Sequence, residues 1–511
     1  MEKWSSERGS MMKGLIVWGT TSDAGKSYLV TGICRALSNR GYDIAPFKGQ
    51  NMSNNSYVTV SGHEIGRSQG LQAEACRLVP TVHMNPVLLK PRSDQKAEVI
   101  IHGKSIGSPA AGEYRSTFFE QASEAVFESL DKLSDNYEFI IMEGAGSPAE
   151  INLMDKDLAN LVTASYADVP ALLAADIERG GVFASITGTM NLLPNEHRER
   201  VKGLVVNRFR GDPSLFSDGA VWIENKTGVP VNGVMPKLNL RIEQEDSLSF
   251  PTLQNFRADA EIDIAVIAMP YVSNYTDVEP FQSETDCTIR IVKDKRQFGR
   301  PDALLLPGTR STINDLRFLR ESGLDKEIIA HVQRGGFVAG ICGGFQMLGD
   351  QLNDEEGNDS GRPGSIVNGL QLLPVNTKFE KHKITRRWSG TFQMESSQQL
   401  FVSGFEIHEG TAESCYSAEW KPLFISQGKP EGLCSLNFRI IGTYIHHIFH
   451  NDGWRTWWLN QVRRSKKIAD QPVIPFGILK DEILDELAEQ IEKHLNVEEI
   501  INIMKKEGRA G

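Results

Sequence analysis

Residues 14–48 read GLIVWGTTSDAGKSYLVTGICRALSNRGYDIAPFK. An apolar run, Leu15 to Trp18, ends in a small polar loop bounded by Gly19 and Gly25. Leu29, Ile33, Ala36 and Leu37 then recur at helical spacing, and Arg40-Gly41 closes that helix. Ile44 to Phe47 begins another short strand. Strands alternating with helices predict a parallel sheet covered on both faces. The same rhythm continues outward in EFIIMEG (138–144), ALLAADI (171–177) and KGLVVNRF (202–209).

Between Leu238 and Ala260 the pattern lapses into acidic, polar sequence, and a linker is expected at 241–260. The rhythm restarts in IDIAVIAMP (262–270), DALLLPGT (302–309), GGFVAGICGGFQMLG (335–349) and FRIIGTYIHH (438–447). Near the C-terminus Ile483, Leu484, Leu487, Ile491 and Leu495 mark a helical stretch. The expected class is α/β, with two doubly wound domains, 12–240 and 261–455, and a helical tail, 456–511. A length of 511 residues agrees, since one domain usually takes roughly 100–200.

Composition narrows the class of function. The net charge of −11 argues against a general nucleic-acid or anionic-membrane binder. No run approaches the ~18 apolar residues of a membrane span, and MEKWSSERGSMMKG lacks the apolar core of a secretory signal. Cysteines 34, 76, 287, 342, 415 and 434 show no CxxC pair and no metal-ligand spacing. They read as reduced thiols of a cytoplasmic protein. No oligomeric state follows from any of this.

The loop Gly19-Thr20-Thr21-Ser22-Asp23-Ala24-Gly25-Lys26-Ser27 carries the first chemistry. A strand that feeds a glycine-rich turn into a helix N-terminus gathers backbone N–H groups at the positive end of a helix dipole, a phosphate cradle. Lys26 would reach the β- and γ-phosphates of ATP, and Ser27 would offer a hydroxyl to Mg²⁺. Five residues rather than the common four separate Gly19 from Gly25. A second metal ligand is expected at the end of a neighbouring strand, where Glu143 follows Phe139–Met142. Asp176 and Glu64 are weaker candidates, since either could cap a helix or pair with an arginine.

The second chemistry centres on Gly340-Ile341-Cys342-Gly343-Gly344. An apolar strand, a tight turn and a helix leave a thiol at the apex, a layout similar to a nucleophile elbow. A helix N-terminus also lowers a thiol's pKa. The competing reading is a small buried cysteine between packed glycines. A thiol nucleophile needs a base, and His446 ends an apolar strand about a hundred residues on. His408 competes, and His447 faces the other way along the strand. No third, orienting carboxylate stands out. Position 448 is isoleucine, where many related glutaminases carry glutamate.

Taken together, the phosphate loop, APFKGQNMSNNS, EIGRSQGLQAEA, MNPVLLKPRSD, EGAGSPAEINL, ADIERGGVFAS, VVNRFRGD, LLPGT, GICGGFQMLG, GFEIHEGT and GTYIHHIFHND resemble the cobyric acid synthase family. The resemblance runs from about Met12 to the C-terminal helices. It implies a dethiobiotin-synthetase-like P-loop domain joined to a class I glutamine amidotransferase domain of the triad type. The implied reaction is ATP- and glutamine-dependent amidation of the b, d, e and g carboxylates of adenosylcobyrinic a,c-diamide in cobalamin biosynthesis. ATP and Mg²⁺ would be consumed or bound in turnover, with no tightly held prosthetic group. Cys342 would be the nucleophile and His446 its base, with oxyanion donors at Gly308 and Gly343. Asn51–Ser56 and Arg67–Gln72 are expected to contact the corrinoid. Gly49 and His447 stand where the family usually has proline and glycine.

Two alternatives share these residues. One is a cobyrinic a,c-diamide synthase, with the same domains and other target carboxylates; EIGRSQGLQAEA and MNPVLLKP favour cobyric acid synthase over it. The other is a P-loop switch carrying an inert amidotransferase-like domain. An inert module has no need of Lys26, Cys342 and His446 at once.

Overall fold

The computed structural model describes residues 12–93, 96–109, 118–240, 242, 253–394 and 399–505. Most of the expected linker, 241–260, falls outside them. The chain divides into two compact units, each drawn from separated segments. Met1–Ser53, His63–Glu245 and Lys480–Gly511 form one, and Asn54–Gly62 with Asp246–Leu479 form the other.

The first unit is built on a six-stranded parallel sheet. Its order is Val231–Pro236, Val201–Phe209, Ala171–Asp176, Gly14–Gly19, Phe139–Glu143, Ile44–Phe47. The unbroken apolar run at 15–18 follows from burial on both faces. Ile16 and Trp18 join one hydrophobic cluster, while Leu15 and Val17 join another on the opposite face. The second cluster holds Leu29 and Ile33 of the helix Lys26–Asn39, together with Leu484, Ile491 and Ile500 from the C-terminal helices. A side chain at Gly32 would strike Leu487 and Ile491, so this glycine lets the two helices meet. Arg35, wholly buried, fixes the same contact through Asp481 at 2.6 Å and Asp485 at 2.7 Å.

The second unit repeats the plan. Cys287–Val292, Ile262–Ile267, Ala303–Leu306, Phe337–Ile341 and Ile440–Thr443 pair in parallel, in that order, and Leu433–Ser435 and Trp420–Lys421 extend the sheet antiparallel. Ile264 and Val266 point into one cluster, Ala265 and Ile267 into the other. Trp454, Trp458 and Val462 of the helix Asp452–Ser465 complete the first of these. A long antiparallel pair, Val375–Gln393 with Gln399–Ser414, carries the GFEIHEG segment past the sheet. Among the described residues no helix is long and apolar enough to cross a membrane.

Candidate functional sites

In the first unit, the strand Gly14–Gly19 leads through the expected loop into the helix Lys26–Asn39. Gly25 begins that helix at φ 85°, a left-handed conformation that favours glycine. A Cβ there would also strike the Asn207 amide, which donates to the Ala24 carbonyl at 2.9 Å. Thr20 is anchored by its N–H to the Ala174 carbonyl, and the Asp23 carboxylate accepts from Arg179. The Lys26 ammonium curls back over the loop, donating to the carbonyls of Thr21, Ser22 and Gly146 at 3.0, 3.2 and 2.9 Å. These are weak partners for a buried cation, and phosphate oxygens would replace them with charge-assisted bonds.

Glu143 sits beside this loop. Its Oε1 accepts from the Ser27 hydroxyl at 2.8 Å and the Lys48 ammonium at 2.9 Å, and its Oε2 accepts from the Gln72 amide. Burial works against its charge, but Lys48 and the three hydrogen bonds leave its pKa below the ordinary carboxylate value. One carboxylate and one hydroxyl, both hard oxygen donors, suit Mg²⁺ held jointly with phosphate oxygens. The weaker candidates are otherwise engaged. Asp176 accepts the Glu178 N–H and pairs with Arg208, while Glu64 forms a buried pair with Lys90 at 2.6 Å.

The segments expected to meet a corrinoid divide. Asn51 donates to Gln69, and Gln72 reaches Glu143, so these side chains belong to the nucleotide unit's polar network. Ser56 lies in the second unit. Lys48 was not singled out by sequence and Gln72 only as a corrinoid contact, because neither stands within a phosphate-loop pattern.

In the second unit Cys342 occupies the turn between the strand Phe337–Ile341 and the helix Gly343–Leu348. Its φ of 53° and ψ of −110° are strained for a residue with a side chain. Small neighbours permit the turn: a Cβ on Gly344 would lie 2.1 Å from the Leu306 carbonyl oxygen, and one on Gly343 would meet Thr309. Gly308 lies against both reacting groups, since a Cβ there would stand 2.9 Å from His446 Cε1 and 3.7 Å from Cys342 Cβ. The sites named from sequence, Gly308, Cys342, Gly343 and His446, thus converge.

The carboxylate that sequence did not identify is Asp277. Its Oδ2 lies 2.7 Å from His446 Nδ1, and its Oδ1 accepts the His447 main-chain N–H at 2.7 Å. Both Asp277 and His446 are fully buried. Burial disfavours the imidazolium, but the Asp277 charge, its hydrogen bond and the Cys342 thiol outweigh burial and raise the His446 pKa. Asp277 comes from the 3₁₀ helix Tyr275–Ser283, 169 residues before the histidine. The buried Ile448 occupies the usual glutamate position and offers no charge. His408, the competing histidine, is otherwise engaged: its Nδ1 meets the Gly410 carbonyl, and burial lowers its pKa to about 4.

Residues 263–454 match the CobB/CobQ-like glutamine amidotransferase domain, and residues 15–248 match the CobQ/CobB/MinD/ParA nucleotide binding domain. A cobyric acid synthase of Geobacillus sp. is 44% identical over 488 residues, covering 94% of this chain and 96% of that protein. The chain belongs to the cobyric acid synthase family. Cobyric acid synthases of Anoxybacillus flavithermus and Nostoc punctiforme are 44% and 42% identical, covering 94% and 95% of the chain and 95% and 99% of those proteins. As a member of this family the chain is an ATP-dependent glutamine amidotransferase ligase. The inert switch considered above is thereby set aside.

Proposed function

We propose that this cobyric acid synthase family member amidates the b, d, e and g carboxylates of adenosylcobyrinic a,c-diamide, using ATP and ammonia released from glutamine. A carboxylate does not react with ammonia at neutral pH, because its leaving group is poor. An oxygen of the corrinoid carboxylate therefore attacks the γ-phosphorus of ATP, ADP departs, and an acyl phosphate forms. Lys26 exchanges its loop carbonyls for phosphate oxygens. Ser27 and Glu143 would hold Mg²⁺, which when bound neutralises charge building on the phosphoryl oxygens.

Ammonia comes from the second unit. His446 Nε2 takes the Cys342 proton, and the thiolate attacks the glutamine amide carbon. The N–H groups of Gly308 and Gly343 stabilise the oxyanion. His446 returns the proton to the departing nitrogen, ammonia leaves, and water hydrolyses the thioester to glutamate. Ammonia attacks the acyl phosphate carbon, and inorganic phosphate departs. Asp277 holds the ring so that Nε2 faces the thiol.

The observation that carries this reading is the His446–Asp277 pair beside Cys342, which supplies a base, its orientation and its charge compensation. The test is incubation with cobyrinic a,c-diamide, ATP, Mg²⁺ and glutamine, followed by mass spectrometry. Four successive amidations are expected. No amidation beyond the starting diamide would refute the assignment, and a product from cobyrinic acid instead would favour the diamide synthase. Cys342→Ala should abolish glutamine-dependent product yet retain activity with added ammonium.

A further inference from the structure

Asn54–Gly62 departs from the chain's main division. The residues on either side, Ser53 and His63, belong to the first unit, whereas this nine-residue stretch belongs to the second. There it touches what surrounds the two reacting groups. The Ser56 N–H donates to Asn274 Oδ1 at 2.8 Å, a buried hydrogen bond. That bond fixes the Asn274 amide, because only its oxygen can accept an N–H. The Asn274 NH₂ then faces His446 Nε2 at 3.5 Å, a long contact on the ring nitrogen opposite Asp277. Asn274 is buried and left-handed at φ 52°, so it has little freedom to leave this position.

A second route is apolar. Val58, wholly buried, forms a small cluster with Phe405 and Ile407. Phe405 stacks on the His446 ring, with centroids 5.2 Å apart and planes 19° apart. The Ile407 carbonyl lies 3.6 Å from Cys342 Sγ. Tyr57, between Ser56 and Val58, meets Arg387 through its hydroxyl at 2.5 Å and through its ring face at 4.8 Å. At the end of the stretch, a Cβ on Gly62 would lie 3.8 Å from the Thr385 carbonyl oxygen and 4.0 Å from Arg386 Cα. The stretch is thus secured along its length.

We propose that Asn54–Gly62 is a positioning strap that holds Cys342 and His446 in working geometry. The proposal rests on the glutaminase reading of Cys342 and His446. An amide donor facing Nε2 favours the neutral ring, opposing Asp277, which favours the imidazolium. The strap therefore tunes the base from the side where the thiol proton arrives.

The experiment uses the full chain and measures glutamine hydrolysis, ammonium-dependent amidation and the pH profile of Cys342 alkylation by iodoacetamide. Asn274→Ala and Ser56→Pro, which removes the N–H, should each lower kcat for hydrolysis about tenfold, with KM changed by less than about twofold. Each should also move the alkylation profile to lower pH. A loss of fold alone would not produce that shift. A Ser56→Pro variant with the parent's kcat and pH profile overturns the proposal. If Ser56→Pro also loses ammonium-dependent amidation, Val58→Ala decides: a lowered kcat supports the strap, and an unchanged one overturns it. A parent chain that hydrolyses no glutamine would refute the glutaminase reading instead.

Discussion

Glu143 and Asp277 are both carboxylates sealed from solvent, and each faces a basic group, yet they are held in different ways. Glu143 is met by the ends of three side chains, Ser27, Lys48 and Gln72. A metal ion held by Glu143 and Ser27 would take the place of some of those hydrogen bonds. Asp277 is met by an imidazole ring and a main-chain N–H at adjacent positions, His446 and His447. Neither partner can leave without rebuilding the turn. The difference separates a carboxylate poised to exchange ligands from one that fixes a ring. Burial alone would not have told them apart.

Asp277→Asn should break the second arrangement most severely. The amide oxygen can still take the His447 N–H, but its NH₂ would face His446 Nδ1 and force the wrong tautomer. Glutamine hydrolysis should fall by on the order of 10³-fold, with ammonium-dependent amidation retained. With the charge that favours the imidazolium gone, Cys342 alkylation should move to higher pH, opposite to the strap variants. Asp277→Glu should recover part of the rate. Equal loss with ammonium would mean that Asp277 serves folding rather than the ring.

Glu143→Gln should act on the other site. Both nitrogen sources should become roughly 10²-fold less effective, because the amide is a poorer metal ligand and leaves Lys48 without its counter-charge. Raised Mg²⁺ should restore part of the rate. A loss confined to glutamine would contradict the nucleotide-site role.

Glu431 sharpens the comparison with the smallest effect. It is a buried carboxyl that, among the described residues, accepts the Thr443 hydroxyl and the Tyr444 N–H, and burial pushes its pKa up to about 8. An acid whose folded pKa exceeds its unfolded value favours the fold while protonated. That contribution is lost as pH rises from the unfolded value of 4.5 towards 8. Glu431→Gln should therefore raise Tm by a few degrees at pH 8 and change little at pH 5, as read by thermal denaturation. An equal change at both values would show that packing, not charge, is responsible.

The two sites differ in how far sequence reveals them. Thr20 to Ser27 form one contiguous loop, whose strand and helix are legible from residues 14–48. Glu143 required only a neighbouring parallel strand. Cys342 was legible from its glycine-flanked elbow and His446 from the strand that it ends. Asp277 was not, because the 3₁₀ helix Tyr275–Ser283 carries no apolar run or motif and meets the histidine only through tertiary packing. The alternating strands and helices of both sheets were legible from their apolar runs. The strap and the return of the chain after Lys480 to the first unit were not, since no local signal records which distant surface a segment will cover.

That return has a consequence for synthesis. Leu29, Ile33 and Arg35 emerge from the ribosome early, but the groups that cover them come some 450 residues later, at Asp485, Ala488 and Ile491. At about 5–20 residues per second that wait lasts roughly 20–90 s. The unit begun first is therefore closed last, after the amidotransferase unit has been made. An apolar helix face left open that long is a natural docking point for a chaperone, and a nascent chain halted before Lys480 would be the form most prone to aggregate.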